Sequence, residues 1–182
     1  MELYLIRHGI AVDRKPDIND QSRELTAEGR EKTRKVAKRL YKLGLRFDLI
    51  LTSPLVRSRQ TAEILHECGL SSQIESSSYL APQGNIQNWL SWLEQKQMLA
   101  TDTRLAMVGH EPDLGQWASI LVWGEARVRA SLTDISQSSE QLENLPVLVL
   151  KKAGIIGLKL PPTGSPVGCS QLLLLTPPKF LL

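Results

Sequence analysis

The sequence predicts an α/β domain with a largely parallel central sheet. Short apolar runs, each suited to one buried strand, alternate along the chain with segments whose apolar residues recur at helical spacing. The apolar runs lie at 3–6, 49–51, 105–108 and 147–150. At 182 residues the chain suits a single domain over 1–182, which is long enough to bury a substantial core.

Helical periodicity follows the first three of these runs. One helix begins after Thr26, a residue suited to the N-cap, and ends at Gly44. A second begins in TSPLVRSRQTAEIL, where Ser53 can cap the helix and Pro54 fits its first position. Two further helices carry apolar stripes that we interpret as core, namely Ile86, Trp89, Leu90 and Leu93, and then Leu114, Trp117, Ala118, Leu121 and Val122.

The last third of the chain departs from this alternation. The stretch RVRASLTDISQSSEQLEN, at about 127–145, is polar and rich in serine, and we interpret it as a surface insertion within the domain. The following PVLVLKKAGIIGLKL predicts two strands that break near Ala153 and Gly154. The closing QLLLL predicts one more strand.

Composition excludes several classes of function. Hydrophobic residues make up 42% and charged residues 23%, and the net charge is only +3, which does not indicate nucleic-acid binding. No run approaches the roughly 20 apolar residues that span a bilayer, and the N-terminus does not resemble a signal peptide. We therefore expect a cytoplasmic protein without membrane contact. Cys68 and Cys169 are too isolated to suggest a disulfide framework or a zinc site.

Two histidines follow buried strands directly. His8 comes after the first strand in RHG, and His110 comes after the third in GHEP. In open α/β sheets ligands bind beyond the carboxyl ends of the strands, so the two imidazoles are expected to share one pocket. A lone histidine at a strand end is usually structural, whereas a pair with a neighbouring arginine favours a functional site.

Two arginines indicate the ligand. Arg57 falls in the first turn of the second helix, where a cation opposes the helix dipole and needs another source of stabilisation. A phosphate held by Arg57, by Arg7 from RHG and by helix N-terminal N–H groups would supply it. Glu111 and Asp113 lie where a helix N-terminus favours acids, so they are explained by helix stabilisation alone.

Two histidines with two arginines suit covalent phosphoryl transfer. A neutral imidazole can attack phosphorus in line while cations neutralise the equatorial oxygens. Nearby arginines lower the pKa of such a nucleophile and keep it unprotonated near neutral pH. The sequence contains no Walker A loop, HExxH motif or magnesium-binding carboxylate cluster, so we expect neither a metal nor another cofactor.

Four motifs, LIRHGIA, LTAEG, LILTSPLVRSRQTAEIL and AMVGHEPDL, occur in this order along nearly the whole chain. In order and spacing they resemble the histidine phosphatase superfamily. The resemblance implies a phosphoglycerate mutase-like fold, a three-layer α/β/α sandwich. It also implies that His8 is the phosphorylated nucleophile, that Arg7 and Arg57 bind the phosphoryl oxygens, and that His110 supports the transferring group.

Within the superfamily, the forms RHGIA and GHEPDL and the closing SQLLLLTPPKFLL are similar to SixA-type phosphohistidine phosphatases. Relatives that cleave phosphate esters carry an acid/base glutamate where this chain reads SSSYLAPQGNIQNWL, which contains no carboxylate. Alkyl esters need protonation of a poor leaving group, whereas a P–N bond needs it far less. The resemblance thus implies a phosphorylated protein as substrate, such as a histidine-containing phosphotransfer domain.

Two alternatives stay open from the sequence. One is a phosphomonoesterase for a small phosphorylated metabolite, with Glu75 or Glu111 as the acid. The other is a noncatalytic phosphate or phosphoprotein sensor that keeps the pocket and does not turn over.

Overall fold

A six-stranded sheet lies at the centre of the structure, a computed structural model that describes residues 1–16, 19–98, 102–128 and 147–182. The strands are β1 (Glu2–Arg7), β2 (Leu49–Thr52), β3 (Ile74–Ser76), β4 (Arg104–Gly109), β5 (Ile155–Lys159) and β6 (Gln171–Thr176). Their order is β3-β2-β4-β1-β5-β6, in which β1 to β4 are parallel and β5 is antiparallel to both its neighbours. The carboxyl ends of β1, β2 and β4 therefore meet at one edge of the sheet.

Helices cover both faces of this sheet. α1 (Ala27–Lys42) and α2 (Val56–Glu67) pack on one face, and α3 (Ile86–Gln95) and α4 (Asp113–Trp123) pack on the other. Along β1, Leu3 and Leu5 join the core beneath α3 and α4, whereas Tyr4 and Ile6 join the core beneath α1 and α2. The chain thus forms the predicted three-layer α/β/α sandwich with a mostly parallel sheet. Short 3₁₀ turns occupy Asp20–Ser22, Ser78–Leu80 and Pro178–Phe180.

Three of the predicted helices are confirmed. Thr26 is the N-cap of α1, and its hydroxyl accepts a hydrogen bond from the Gly29 N–H at 2.9 Å. The apolar stripes of α3 and α4 are buried against the sheet, except that Val122 is only partly buried. Helical spacing is sufficient to identify these elements because one face of each meets the core.

The predicted start of α2 is wrong. The helix begins at Val56, and Pro54 precedes it. The hydroxyl of Ser53, predicted as the cap, lies 2.8 Å from a ring nitrogen of His110. Arg57 nevertheless lies in the first turn of α2, as predicted.

The predicted strand at 147–150 is also wrong, because side chains take up its backbone hydrogen bonds. The Leu148 N–H donates to the Ser119 hydroxyl at 2.9 Å, and the Leu150 N–H donates to Glu111 Oε1 at 2.8 Å. The Leu150 carbonyl accepts from Arg7. The segment therefore joins α4 to the end of β1 instead of extending the sheet.

Strand β3 is not predicted, because its three residues contain no apolar run. Cys68 and Cys169 are free thiols. Most of the insertion predicted at 127–145 lies outside the described residues. Within the described ranges, no helix is long and apolar enough to cross a membrane.

Candidate active site

The two histidines leave neighbouring parallel strands at the same level. Arg7, the last residue of β1, is paired with Gly109, the last residue of β4. The N–H of His8 donates to the Gly109 carbonyl at 3.1 Å, which holds the two strand ends together. The imidazole rings of His8 and His110 consequently lie side by side, with centroids 5.1 Å apart and planes inclined at 57°.

Hydrogen bonds determine which nitrogen of His8 carries the proton. Nδ1 lies 2.7 Å from the carbonyl oxygen of Gly9, which can only accept, so Nδ1 is the protonated nitrogen. Nε2 lies 3.3 Å from Nε of Arg57, which can only donate, so Nε2 carries a lone pair. His8 is therefore a neutral imidazole with its basic nitrogen directed toward Arg57.

Gly9 allows the backbone after His8 to approach α1 and α2 closely. A Cβ at this position would lie 2.4 Å from Oγ1 of Thr33 in α1, which is too close for any side chain. The Gly9 N–H donates to Oγ1 of Thr61 in α2 at 3.1 Å. The RHG tripeptide is thus fixed between the sheet and both helices, and it holds the His8 ring in place.

Both imidazoles are buried, which favours their neutral forms. His8 is 7% exposed and His110 is 4% exposed. Burial, reinforced by Arg57 and Arg7, lowers the pKa of His8 to about 3. Burial and the same two arginines lower the pKa of His110 to about 4. The site therefore presents uncharged imidazoles at neutral pH.

Two buried serines surround one nitrogen of His110. Nε2 lies 2.8 Å from the hydroxyl of Ser53 and 3.4 Å from the hydroxyl of Ser58. Nδ1 is buried and has no hydrogen-bond partner among the described residues. His110 is thus held on one side of its ring and has a buried, unpartnered polar atom on the other.

Arg57 reaches His8 from the first turn of α2. Its Nε donates to His8 Nε2, while Nη1 donates to the backbone carbonyl of Asp20 at 2.7 Å. Nη2 forms a 3.0 Å ion pair with Oδ2 of Asp20. The side chain of Arg57 is only 4% exposed, so its charge lies inside the protein beside the histidine pair.

Arg7 approaches the site from β1. Its Nη1 donates to the Leu150 carbonyl at 2.8 Å, and its Nε is buried without a partner among the described residues. The negative charge of Glu111 stabilises the positive charge of Arg7. The Glu111 carboxylate also accepts a hydrogen bond from the Leu150 N–H. Arg7 is therefore oriented by the 147–150 segment.

Unpartnered buried polar atoms concentrate at this site. In the described part of the chain three buried side-chain polar atoms have no hydrogen-bond partner, and two of them are Arg7 Nε and His110 Nδ1. A buried donor without an acceptor is costly, so each such atom calls for a partner that can accept its hydrogen bond. A guanidinium N–H can only donate, so an anionic oxygen is the ligand that suits it.

Sequence reasoning identified the histidines and arginines of this site but missed three of their partners. The position of Ser53 predicts a helix cap instead, and Ser58 and Asp20 are assigned no role from the sequence. The sequence holds a signal for Ser58 alone, since this residue directly follows Arg57, a predicted phosphate ligand. Among the described residues no group of three or more His, Cys, Asp or Glu side chains could hold a metal ion.

The depressed histidine pKa values predict acid sensitivity. A histidine whose pKa is lower in the folded chain than its ordinary value of 6.5 binds fewer protons when folded. Its stabilising contribution is complete above pH 6.5 and decreases as the pH falls toward about 3. Between pH 7 and pH 5 we expect each of the two histidines to remove roughly 1–2 kcal/mol from the free energy of unfolding.

Urea unfolding at the two pH values tests this, with His8→Asn as the variant, because an amide can still donate to the Gly9 carbonyl. The variant should lose about 1–2 kcal/mol less than the wild type between pH 7 and pH 5. His66→Asn is the matched control, since His66 is exposed on α2. An identical pH dependence in wild type and His8→Asn would contradict the assigned protonation of His8.

A mostly parallel α/β/α sandwich that brings two neutral histidines and two arginines to one sheet edge defines the class of histidine-dependent phosphatases. The chain belongs to the histidine phosphatase superfamily. The family model described as histidine phosphatase superfamily (branch 1) matches residues 3–78. An uncharacterized protein of Picosynechococcus sp. is 44% identical over 183 residues, covering 100% of this chain and 99% of that protein.

Solved structures share the fold. A protein histidine phosphatase SixA, in complex with tungstate, superposes with a TM-score of 0.76 at 22% identity and 100% coverage of both chains. The α-ribazole phosphatase from Shigella flexneri gives a TM-score of 0.67 at 15% identity, covering 98% of this chain and 97% of that one. At such identities these structures bear on the fold and not on the substrate.

Proposed function

We propose that the chain is a phosphohistidine phosphatase, which removes phosphate from a phosphorylated histidine of a signalling protein such as a histidine-containing phosphotransfer domain. The observation that carries this proposal is the state of His8, a neutral imidazole whose unprotonated Nε2 lies beside the buried cation of Arg57. A lone pair next to a fixed cation is what in-line attack on a phosphoryl group requires.

In the proposed first step, Arg57 Nε transfers its hydrogen bond from His8 Nε2 to a phosphoryl oxygen, and the freed lone pair of Nε2 forms a bond to phosphorus as the bond from phosphorus to the substrate nitrogen breaks. The electron pair of that bond stays on the leaving imidazole. Arg57 and Arg7 neutralise the charge on the phosphoryl oxygens, the role that a metal ion has in other phosphoryl-transfer sites. We therefore propose a reaction without metal or cofactor.

The phosphorylated His8 ring would carry a positive charge while Nδ1 keeps its proton. The 2.7 Å hydrogen bond from Nδ1 to the Gly9 carbonyl supports that charge. In the second step, water attacks phosphorus, the bond to Nε2 breaks, and inorganic phosphate leaves. His110 Nδ1, which has no hydrogen-bond partner among the described residues, is the proposed contact for the transferring oxygens.

The carboxylates near the site argue for a nitrogen leaving group. Asp20 contacts Arg57. Burial raises the pKa of its carboxyl group, but hydrogen bonds from arginines outweigh this and hold the pKa well below the usual range. An acid that stays ionised cannot protonate an alkoxide. Glu75 lies exposed on the edge strand β3.

Measured kcat/KM values for three substrates test the proposal. Phosphohistidine should be the best substrate and an alkyl phosphate the poorest, because only the alkyl ester depends fully on a protonated leaving group. p-Nitrophenyl phosphate should fall between them, since its phenolate leaves without help. The purified protein should show this order near neutral pH.

The alternative phosphomonoesterase reaction on a small metabolite has one observation in its favour. Glu111 follows His110 directly, and burial raises the pKa of its carboxyl group. However, Oε1 of Glu111 already accepts from the Leu150 N–H at 2.8 Å. If an alkyl phosphate is hydrolysed as well as phosphohistidine, and Glu111→Gln or Glu75→Gln loses that activity, the metabolite reaction replaces our proposal.

A further inference from the structure

Asp20 is a charged residue beside the site that the proposed mechanism does not use. Its Oδ1 accepts from Arg14 Nε at 3.0 Å and from Arg23 Nη1 at 2.7 Å. Its Oδ2 accepts from Arg57 Nη2 at 3.0 Å. One carboxylate therefore bridges three arginines, of which Arg57 is the one that touches His8.

The backbone of Asp20 already orients Arg57. Its carbonyl accepts from Arg57 Nη1 at 2.7 Å, and Arg57 Nε is directed at His8. These two contacts do not depend on the Asp20 side chain, and a planar guanidinium held at two nitrogens has little freedom left. The distinct contribution of the Asp20 carboxylate is consequently its negative charge.

That charge opposes the binding of a phosphoryl group. A phosphoryl group on Arg57 would share the guanidinium with the Asp20 carboxylate, and two anions a few ångströms apart repel each other, strongly so where water is scarce. The hydrogen bonds from Arg23, Arg57 and Arg14 keep the pKa of Asp20 low despite partial burial, so the carboxylate is charged at neutral pH. A phosphoryl group must therefore bind against a fixed negative charge.

We propose that Asp20 is an affinity-determining residue of the phosphate site, whose carboxylate competes with the phosphoryl group for Arg57 and keeps the product phosphate weakly bound. The inference rests on the proposed function because it takes a phosphoryl group as the ligand of Arg57. Weak product binding benefits a phosphatase, since release of the product frees the site for the next turnover.

Calorimetric titration with inorganic phosphate tests the inference in the wild-type protein and in Asp20→Asn, which keeps the shape and one acceptor oxygen. The dissociation constant for phosphate should fall by about three- to thirtyfold in the variant, the range between exposed and partly buried charge pairs. The matched control is Asp13→Asn, which removes the same charge from the same segment. Asp13 is exposed and takes part in no ion pair found among the described residues.

Unchanged or weaker phosphate binding in Asp20→Asn, or an equal gain in Asp13→Asn, would overturn the inference. Asp20→Ala provides a second variant that keeps the backbone contact to Arg57, and circular dichroism verifies the folding of each. The titration requires no turnover, so its outcome is separate from that of the substrate panel. Tighter phosphate binding without hydrolysis of phosphohistidine would uphold the role of Asp20 and contradict the proposed function.

Discussion

His8→Ala will abolish turnover of every phosphorylated substrate and the formation of any phosphoenzyme. The alanine removes Nε2, the lone pair that lies 3.3 Å from Arg57 and is proposed to attack phosphorus. We do not expect His110 to replace it, because Nε2 of His110 lies against the hydroxyls of Ser53 and Ser58 and its Nδ1 is buried. We expect kcat/KM for phosphohistidine to fall by at least about 10⁴-fold, as in other enzymes that lose their nucleophile.

His66→Ala is the matched control for His8→Ala. The chain has three histidines, and His66 lies exposed near the end of α2 with its Nδ1 2.7 Å from the Ser71 carbonyl. This variant should keep wild-type kcat/KM, apart from any loss of folded protein measured by thermal unfolding. Turnover by folded His8→Ala at a rate close to that of the wild type would rule out His8 as the nucleophile.

Arg57→Ala will have the second largest effect. Arg57 donates toward the nitrogen that would carry the phosphoryl group, from a position that is almost fully buried. Loss of one such preorganised donor costs about 2–4 kcal/mol of transition-state stabilisation, a fall in kcat/KM of roughly 30-fold to 10³-fold. Steady-state kinetics measure this fall in kcat/KM with p-nitrophenyl phosphate and with a phosphorylated protein as substrates.

Arg57→Lys separates charge from geometry. Lysine retains the positive charge but cannot contact His8, the backbone carbonyl of Asp20 and the Asp20 carboxylate at the same time. We expect it to recover only a small part of the lost activity. Arg59→Ala removes an exposed arginine two positions further along α2 and should leave kcat/KM unchanged. If Arg57→Ala does no more than Arg59→Ala, then Arg57 does not bind the transferring group.

Local patterns are sufficient to predict most of the sheet and the four helices, with only the start of α2 misplaced. In β1, Leu3 and Leu5 face one core while Tyr4 and Ile6 face the other, so the strand appears in the sequence as a continuous apolar run. The run at 147–150 has the same appearance and is not a strand. The difference lies in contacts with Ser119, Glu111 and Arg7, which are distant in the chain, so no local pattern reveals them.

The candidate site was predictable to the extent that it lies at strand ends. His8 and His110 can be predicted because each lies beside a glycine at the end of a buried apolar run, in His8–Gly9 and in Gly109–His110. Asp20 was not predictable, since its contact with Arg57 joins a 3₁₀ turn to a helix 37 positions away. The roles of Ser53 and Ser58 depend likewise on how β2 and α2 pack beside β4.

If phosphate passes through Nε2 of His8, the phosphorylated enzyme can be trapped and its phosphate located. The enzyme is quenched during turnover of a phosphodonor, digested, and analysed by mass spectrometry and ³¹P NMR to locate the phosphate. Because Nδ1 donates to the Gly9 carbonyl, we expect an acid-labile, alkali-stable phosphate on His8 as the Nε2 isomer. Phosphate on Nδ1, on His110 or on a hydroxyl group, or turnover without any labelled enzyme, would contradict this expectation.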